Sequence, residues 1–402
     1  MGGFRAGRLV VLIGLLLAVA VVTSGCGGAA KTSAAAPIKI GLVTSVTGPL
    51  AGYGAQEIQG FKLGLEYATN GTNQVAGHPI ELTIADDTGS PDVAKQKALE
   101  LLTQDHVQIL QGTANSSCAL AIEPLALQYK TIFVIGPAVA DSLTNAQNWN
   151  KYIFKVSRNS SMDAQAAVGA ITEAGATVAQ LAPDYAFGHD SVTAFKNYAT
   201  SAGLKDVLDV FAPLDTTDFT PYLQRIIQAK PQYLYVTWAG SGGPWKDIMN
   251  IKLMDKGIKI VTGVPDIAAI KALFMGMAGM RGFTDYYYTL PKNPVNDWLV
   301  QHNQSEYNAP PDLFTPDGFA AAQVIVKALQ LTNGNPDGDA MSAVMEGMTI
   351  DSPKGPLTLR ASDHQALQTM YAVELQNVQG QDYPVPVLIK ELRPEPPVTN
   401  GR

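Results

Sequence analysis

Short apolar runs alternate with longer stretches of helical periodicity from residue 37 onward. A short apolar run bounded by turn residues is typical of a buried strand, and a longer stretch with a period near 3.6 is typical of a helix. In the first half, the pattern predicts strands at 38–43, 80–85, 107–110 and 132–135, with helices at 53–67, 91–102 and 116–128. This order predicts a parallel sheet covered by helices on both faces.

The same alternation restarts after residues 156–159. It predicts strands at 178–181, 207–211, 233–237 and 258–261, with helices at 162–174, 191–202, 220–229 and 245–256. A late helix at 317–331 and a late strand at 370–375 must join these two sets. Two sheets of this size fit two lobes better than one continuous domain, so the predicted fold class is α/β with two lobes.

The N-terminus has the pattern of an export signal. Arg5 and Arg8 precede the uncharged apolar stretch 9–22, and small residues lead to Cys26. This predicts a signal peptide at 1–25. The segment resembles the lipobox of bacterial lipoproteins, which implies lipidation at Cys26, a tether at 26–36 and a chain anchored to the cell membrane, facing the periplasm or the cell exterior. An ordinary signal peptide with an incidental cysteine is the alternative.

Composition and charge exclude several classes of function. The chain of 402 residues is 46% hydrophobic and 16% charged, with a formal net charge of −7 and no cluster of Lys or Arg. Nucleic-acid binding through phosphates therefore has no electrostatic basis. The two cysteines, Cys26 and Cys118, cannot build a disulfide framework or a cysteine-based zinc site.

No catalytic or metal motif emerges from the sequence. The histidines have no metal-binding spacing; they are His78, His106, His189, His302 and His364. The loop at 240–243 lacks the first glycine of a nucleophile elbow, because Ala239 stands there. No phosphate-binding glycine motif follows a predicted strand. We therefore expect no metal, no cofactor and no enzymatic activity.

Ligands of open α/β sheets bind beyond the carboxyl ends of the strands, so the loops there are informative. In order, these loops include Gly-Pro-Leu-Ala-Gly-Tyr-Gly at 48–54, Gly-Thr-Ala-Asn-Ser-Ser at 112–117, Gly-Pro-Ala at 136–138, Asp-Tyr-Ala-Phe-Gly at 184–188 and Thr-Asp-Phe-Thr-Pro at 217–221. Over residues 37–392, the chain resembles the type I periplasmic binding proteins, specifically the leucine/isoleucine/valine-binding branch that delivers ligands to ABC transporters.

The resemblance implies two α/β lobes joined by three crossovers, near 156–159, 290–293 and 349–353. It places residues 37–157 and 292–348 in the first lobe, residues 158–291 and 349–395 in the second, and a tail at 396–402. It also implies a small-molecule ligand held between closing lobes and the membrane subunits of an ABC permease as partners.

The loop at 112–117 is a candidate carboxylate site. Asn115, Ser116 and Ser117 precede or open a predicted helix, where free backbone N–H groups and the helix dipole favour an anion. In the family that the chain resembles, this loop and the backbone after the fourth strand hold the carboxylate and amino group of the ligand. The resemblance transfers these roles to Ser116, Ser117, Ala138 and Val139.

The second lobe supplies further candidates. The resemblance suggests Asp266 as a partner for a ligand ammonium group. Aromatic residues of both lobes could line an apolar or flat pocket: Tyr53, Tyr185, Phe187 and Trp238. Segments at 285–288, 291–298, 353–355 and 363–368 look like those of a subgroup that binds aromatic carboxylates and small amides. The expected ligand is thus a branched-chain or related amino acid, or alternatively an aromatic carboxylate or small amide; a ligand-sensing receptor without transport is a third possibility.

Overall fold

The computed structural model describes residues 35–240 and 242–398. The first sheet contains β1 (Ile38–Thr44), β2 (Gln74–Val75), β3 (His78–Asp86), β4 (Ile109–Gly112), β5 (Ile132–Ile135) and β6 (Ile153–Lys155). The strands lie in the order β2-β3-β1-β4-β5-β6, and all neighbours are parallel except the short β2–β3 pair. Every residue of β4 and β5 is buried, as expected for central strands covered on both faces.

Three helices follow strands of this sheet: α1 (Ala51–Ala68), α2 (Pro91–Thr103) and α3 (Ser116–Tyr129). Pro91 occupies the first helical position of α2, where its missing N–H costs nothing. Asn115 caps α3, because its side-chain oxygen accepts hydrogen bonds from the N–H groups of Ser117 and Cys118. The predicted boundaries therefore agree with the local chemistry of proline and the cap.

The second lobe begins after β6. Its strands are β7 (Thr177–Pro183), β8 (Lys205–Ala212), β9 (Tyr233–Val236), β10 (Lys259–Thr262) and β11 (Arg281–Thr284). Its helices are α4 (Ser160–Gly169), α5 (Ala186–Ser201), α6 (Thr220–Ala229), α7 (Trp245–Asn250) and α8 (Ile267–Leu273). A parallel sheet of order β10-β9-β7-β8 forms the core of this lobe.

The chain then returns to the first lobe. It adds α9 (Pro294–Tyr307), α10 (Thr315–Leu331), α11 (Gly338–Met345) and the antiparallel strands β12 (Thr349–Ser352), β13 (Gly355–Leu359) and β14 (Ala366–Leu367). Two final strands, β15 (Met370–Gln376) and β16 (Val385–Leu392), pair with β11 in the order β11-β15-β16. These last strands belong to the second lobe, because Val373 and Leu375 pack in its core.

The third crossover differs from the expected position at 349–353. Ile350, Leu357 and Leu359 all pack in the hydrophobic core of the first lobe. The chain therefore crosses between β14 and β15, after the antiparallel strands that complete the first lobe. Residues 349–366 accordingly pack with the first lobe rather than the second, whereas Leu367 already packs against the core of the second lobe. The other expected domain limits stay predictions.

Helix α7 is shorter than the predicted helix at 245–256. It ends at Asn250, and Lys252 adopts a left-handed conformation with φ of 51° before a 3₁₀ turn at Met254–Lys256. A residue in this conformation cannot continue a right-handed helix. The α/β fold class with two lobes is nevertheless confirmed in its layers and its sheets.

The predicted signal peptide, Cys26 and the start of the tether lie outside the described residues. Within residues 35–240 and 242–398, no helix is both long enough and apolar enough to cross a bilayer.

Candidate ligand-binding cleft

A cleft lined by residues of both lobes lies between them. Its walls come mainly from the carboxyl ends of β4, β5, β9 and β10 and from the segments that follow them, as expected for parallel sheets. The residues that line the cleft include Tyr53, Ser116, Val139, Arg158, Asp163, Tyr185, Phe187, Tyr235, Thr237, Trp238, Phe283 and Phe314.

Aromatic rings from both lobes form most of the apolar wall. Tyr53 meets Phe314 edge-on, with ring centroids 4.4 Å apart. Tyr185 and Phe187 stand side by side at the start of α5, with centroids 5.9 Å apart. Trp238 packs against Phe219 in a T-shaped arrangement, with ring centroids 4.9 Å apart. Such packing fixes the ring orientations, so the cleft presents rigid flat surfaces to a ligand.

Arg158 brings a cation into this aromatic cleft. It lies on the first crossover, and its side chain is 11% exposed. Its Nε donates to Asp163 at 2.8 Å, and its Nη1 donates to Asp285 at 3.1 Å. The guanidinium carbon also lies 5.7 Å from the centre of the Phe314 ring. The side chain is therefore fixed by two carboxylates and an aromatic ring while it lines the cleft.

A network of buried ion pairs connects Arg158 to the first lobe. Lys354 lies on the turn between β12 and β13, and its Nζ lies 3.1 Å from Asp285 Oδ2. The same Nζ pairs with Asp317 of α10. All three side chains are fully buried, so each ion pair compensates a large desolvation cost. This chain of ion pairs ties the first crossover to both lobes.

Burial and neighbouring charges change the titration of these groups. Burial lowers the pKa of Arg158, but the carboxylates around it outweigh that effect and leave the pKa raised. Burial raises the pKa of Asp163 to about 6, although Arg158 opposes the increase. Burial would raise the pKa of Asp285, yet Arg158 and Lys354 hold it below its ordinary value. Asp163 is therefore the acid of the cleft that titrates near neutral pH.

Six of the predicted site residues line the cleft: Tyr53, Ser116, Val139, Tyr185, Phe187 and Trp238. Four others do not appear among the residues that line it: Asn115, Ser117, Ala138 and Asp266. Each of these four makes hydrogen bonds within the protein.

In the predicted carboxylate loop, most polar groups are already used. Asn115 is the cap of α3, and its Nδ2 donates to the carbonyl of Gly89. Ser116 Oγ accepts from the N–H groups of Val139 and Ala140, each at 3.2 Å. The Val139 N–H is thus occupied by a serine rather than exposed to a ligand. Ser116 itself lines the cleft.

Two other predicted residues, Ala138 and Ser117, make hydrogen bonds to other parts of the protein. The N–H of Ala138 donates to the carbonyl of Thr113, and its carbonyl accepts from Ser157 Oγ. Ser117 Oγ accepts from the N–H of Ala186, which belongs to the other lobe. Ser117 therefore joins the lobes directly.

Asp266 is the N-cap of α8. Its Oδ1 accepts from the N–H of Ala269 at 2.9 Å. Burial raises its pKa, and the hydrogen bonds of the helix N-terminus oppose that rise. A carboxylate in this position stabilises the helix, and in this structure it is not part of the cleft wall.

Sequence reasoning missed several lining residues, above all Arg158 and Asp163. Residues 156–159 were identified only as a crossover, and a single arginine in a loop has no periodicity to mark it. Arg158 could be recognised only through its buried partners, which lie 5 and 127 residues away. Tyr235 was hidden in an apolar strand whose pattern indicates burial and nothing more, and Phe283 lies in β11, which the sequence analysis did not predict.

The chemistry of the cleft is that of binding. In the part of the chain that the structure describes, no group of three His, Cys, Asp or Glu side chains could hold a metal ion. Thr237 Oγ1 is buried at the cleft wall, next to the hydroxyl of Tyr235. Together with Ser116 and Arg158, it gives the cleft a few polar groups in an aromatic surround, as in small-molecule sites.

Comparisons with known proteins agree with this geometry. The family model described as "Periplasmic binding protein" matches residues 37–381. A Brucella abortus protein named "Leu/Ile/Val-binding protein homolog 6" is 26% identical over 363 residues, which are 86% of this chain and 90% of that protein.

Two solved structures from Rhodopseudomonas palustris extend the comparison. One, from strain CGA009, is described as an ABC-type branched-chain amino acid transporter; it is 40% identical with a TM-score of 0.77, covering 91% of this chain and all of the other. A solute-binding protein from strain BisB5, in complex with 3,4-dihydroxybenzoic acid, is 29% identical with a TM-score of 0.79, covering 89% and 97%.

The predicted resemblance is thereby confirmed over nearly all of the described chain. The two-lobed fold, the cleft between the lobes and the family match point to one conclusion. This chain belongs to the periplasmic binding protein family, as a solute-binding protein of the type that serves ABC transporters, and it is not an enzyme.

Proposed function

We propose that this chain is the exported, lipid-anchored binding component of an ABC importer. Its two lobes close on a small carboxylate-bearing ligand, and the closed form is presented to the permease subunits. The basic and apolar N-terminus with Cys26 supports export and anchoring. Closure follows from ligand binding, because only the closed form contacts the ligand from both lobes.

The ligand we propose is a small aromatic carboxylate. The observation that carries this assignment is the guanidinium of Arg158, which lines a cleft walled by aromatic rings. A guanidinium recognises a carboxylate through charge-assisted hydrogen bonds. Its Nε and Nη1 are engaged by Asp163 and Asp285, whereas Nη2 has no hydrogen-bond partner among the described residues. Flat rings suit a flat ligand.

The position of Asp266 supports the same assignment. An amino acid needs a partner for its ammonium group as well as one for its carboxylate. Asp266, the expected ammonium partner, caps α8 instead and is not among the lining residues. A benzoate-type acid needs no ammonium partner.

An amino acid ligand is the second candidate, and Asp163 favours it. This carboxylate lines the cleft and could accept an ammonium group. Similarity to the Leu/Ile/Val-binding protein homologue and to the branched-chain amino acid transporter structure also favours it. Asp163 is already paired with Arg158, however, so an ammonium group would have to compete with a guanidinium 2.8 Å away.

Thermal unfolding of the purified chain with a panel of ligands tests the proposal. The panel contains 4-hydroxybenzoate, 3,4-dihydroxybenzoate, benzamide, leucine, isoleucine and valine. A ligand at 100 times its Kd adds about 2.7 kcal/mol to the free energy of unfolding, which is a shift of several degrees. We expect shifts with the hydroxybenzoates. Shifts with leucine, isoleucine or valine alone would replace this ligand class with the second.

A further inference from the structure

Two helices of the second lobe begin next to the first lobe. Side chains of the first lobe accept hydrogen bonds from the first N–H groups of these helices. The N–H of Ala186, at the start of α5, donates to Ser117 Oγ at 3.2 Å. The N–H of Ile267, at the start of α8, donates to Asp312 Oδ2 at 2.9 Å and to Oδ1 at 3.2 Å. The N-cap of α5, Tyr185, provides no side-chain cap of its own. The first N–H groups of a helix need such partners.

Asp312 of the first lobe and Asp266 of the second lobe both lie at the start of α8. Asp312 lies in the loop between α9 and α10 of the first lobe, and its Oδ1 also accepts from the N–H of Leu313 at 2.8 Å. Asp266 caps the same helix, α8, from within the second lobe. Burial and the charge of Asp266 raise the pKa of Asp312 to about 7. Two carboxylates from opposite lobes thus share the start of one helix.

We propose that Ser117 and Asp312 form an interlobe latch, in which side chains of the first lobe cap helices of the second lobe when the cleft is closed. The latch rests on the proposed function in one respect, because it assumes that the lobes open and close. It assigns to Ser117 the role of holding the closed form rather than of touching the ligand. Opening breaks both caps and returns these groups to water.

The latch is sensitive to pH through Asp312. In the open form, the carboxyl is hydrated and titrates near the ordinary value of about 4. In the closed form its pKa is about 7, so closure takes up a proton between these values. Because the pKa of Asp312 is raised in the closed form, protonation of Asp312 stabilises that form at low pH. This stabilisation is lost as the pH rises through about 7.

Of the groups around Asp312, three tyrosines do not titrate between pH 5 and pH 8, whereas the pKa of Asp266 is shifted in the same direction as that of Asp312. Tyr53, Tyr286 and Tyr383 face it, and burial raises the pKa of each further above neutrality. Asp266 is the remaining neighbour, and its pKa is also raised by burial. The lysine of α8, Lys271, pairs with Asp382 instead.

Small-angle X-ray scattering of the ligand-free chain at pH 5 and pH 8 tests the latch. Because closing the lobes compacts the molecule, the radius of gyration should be smaller at pH 5 than at pH 8. Asp312→Asn keeps an acceptor for the Ile267 N–H but cannot titrate, so its radius should differ less between the two pH values than that of the unsubstituted chain. Asp312→Ala and Ser117→Ala should enlarge the radius at pH 5. Asp337→Ala is the matched control, because Asp337 caps α11 within the first lobe.

Three results would contradict the latch. A radius in Asp312→Ala and Ser117→Ala equal to that of the unsubstituted chain at pH 5 would overturn the latch. So would an unsubstituted chain that does not respond to pH, or an Asp312→Asn variant that keeps the full response. No ligand is present in these measurements, so a wrong ligand class would leave their results unchanged and would appear only in the thermal panel.

Discussion

Arg158 is the only Lys or Arg among the described residues that line the cleft. Arg158→Lys keeps the charge but loses the planar arrangement of donors that a carboxylate matches. We expect the affinity for 4-hydroxybenzoate to fall at least tenfold, measured by calorimetric titration. Arg360→Lys is the control, because Arg360 pairs with Asp363 and does not line the cleft. Equal affinities of the two variants would contradict the role of Arg158.

Asp163 allows the two ligand classes to be separated by proton counting. Its pKa is about 6, so at pH 6 it is about half protonated. An anionic carboxylate on Arg158 raises that pKa further, and binding takes up protons. An amino acid whose ammonium group pairs with Asp163 lowers the pKa, and binding releases protons. Calorimetry at pH 6 in buffers of different ionisation enthalpy measures the sign, and Asp163→Asn should abolish the effect.

Side chains differ in how far their roles could be predicted from the sequence. Tyr53, Ser116 and Trp238 were predicted because they follow strands in loops of recognisable composition, and all three line the cleft. Ser117 and Asp266 come from the same kind of loop, yet their polar atoms cap helices. Which of two adjacent hydroxyls faces a ligand depends on the opposite lobe, and local sequence holds no information about that.

At the scale of elements, a seam of glycines joins α1 to α10. A Cβ on Gly60 would lie 1.8 Å from the carbonyl oxygen of Thr315, and one on Gly318 would lie 2.1 Å from that of Glu57. Gly60→Ala should therefore destabilise the chain by about 3 kcal/mol through overpacking. Gly52→Ala, in the same helix with nothing within 4 Å, should be neutral or stabilise by about 0.5 kcal/mol. Denaturant unfolding compares the two, and equal stabilities would contradict the seam.

Elements with strong periodicity or caps were predictable, and weaker ones were not. The sequence predicts α1, α2 and α3 within a few residues of their ends. Helix α9 was missed, because it is largely polar and buries few side chains, among them Val295 and Leu299. The strands β12 to β14 were missed because they are short and antiparallel, and their absence misplaced the third crossover.

At the scale of the molecule, Gly240 allows the two lobes to approach closely. It has φ of 85°, and a Cβ there would lie 2.6 Å from the carbonyl oxygen of Pro49 in the other lobe. Gly240→Ala should hold the lobes apart and weaken 4-hydroxybenzoate binding several-fold. Gly242→Ala is matched, because it also has positive φ but nothing within 4 Å. Both variants suffer backbone strain, so a defect shared equally in binding titrations would contradict the steric account.

The two-lobed plan was predictable because the strand and helix alternation stops and restarts, and a repeated pattern survives errors in single elements. The relation between the lobes was not. The ion pairs of Arg158, Asp285 and Lys354 join segments up to 196 residues apart, and each residue is unremarkable in its own segment. Interlobe chemistry therefore had to come from the structure.

The most direct test of the central claim is a crystal structure of the chain with 4-hydroxybenzoate. We predict that both lobes contact the ligand, with a carboxylate oxygen about 2.8 Å from the guanidinium of Arg158, the usual length of such a charge-assisted bond. A carboxylate bound away from Arg158, on Ser116 and the backbone after β5, would contradict the account. So would a ligand held by one lobe alone.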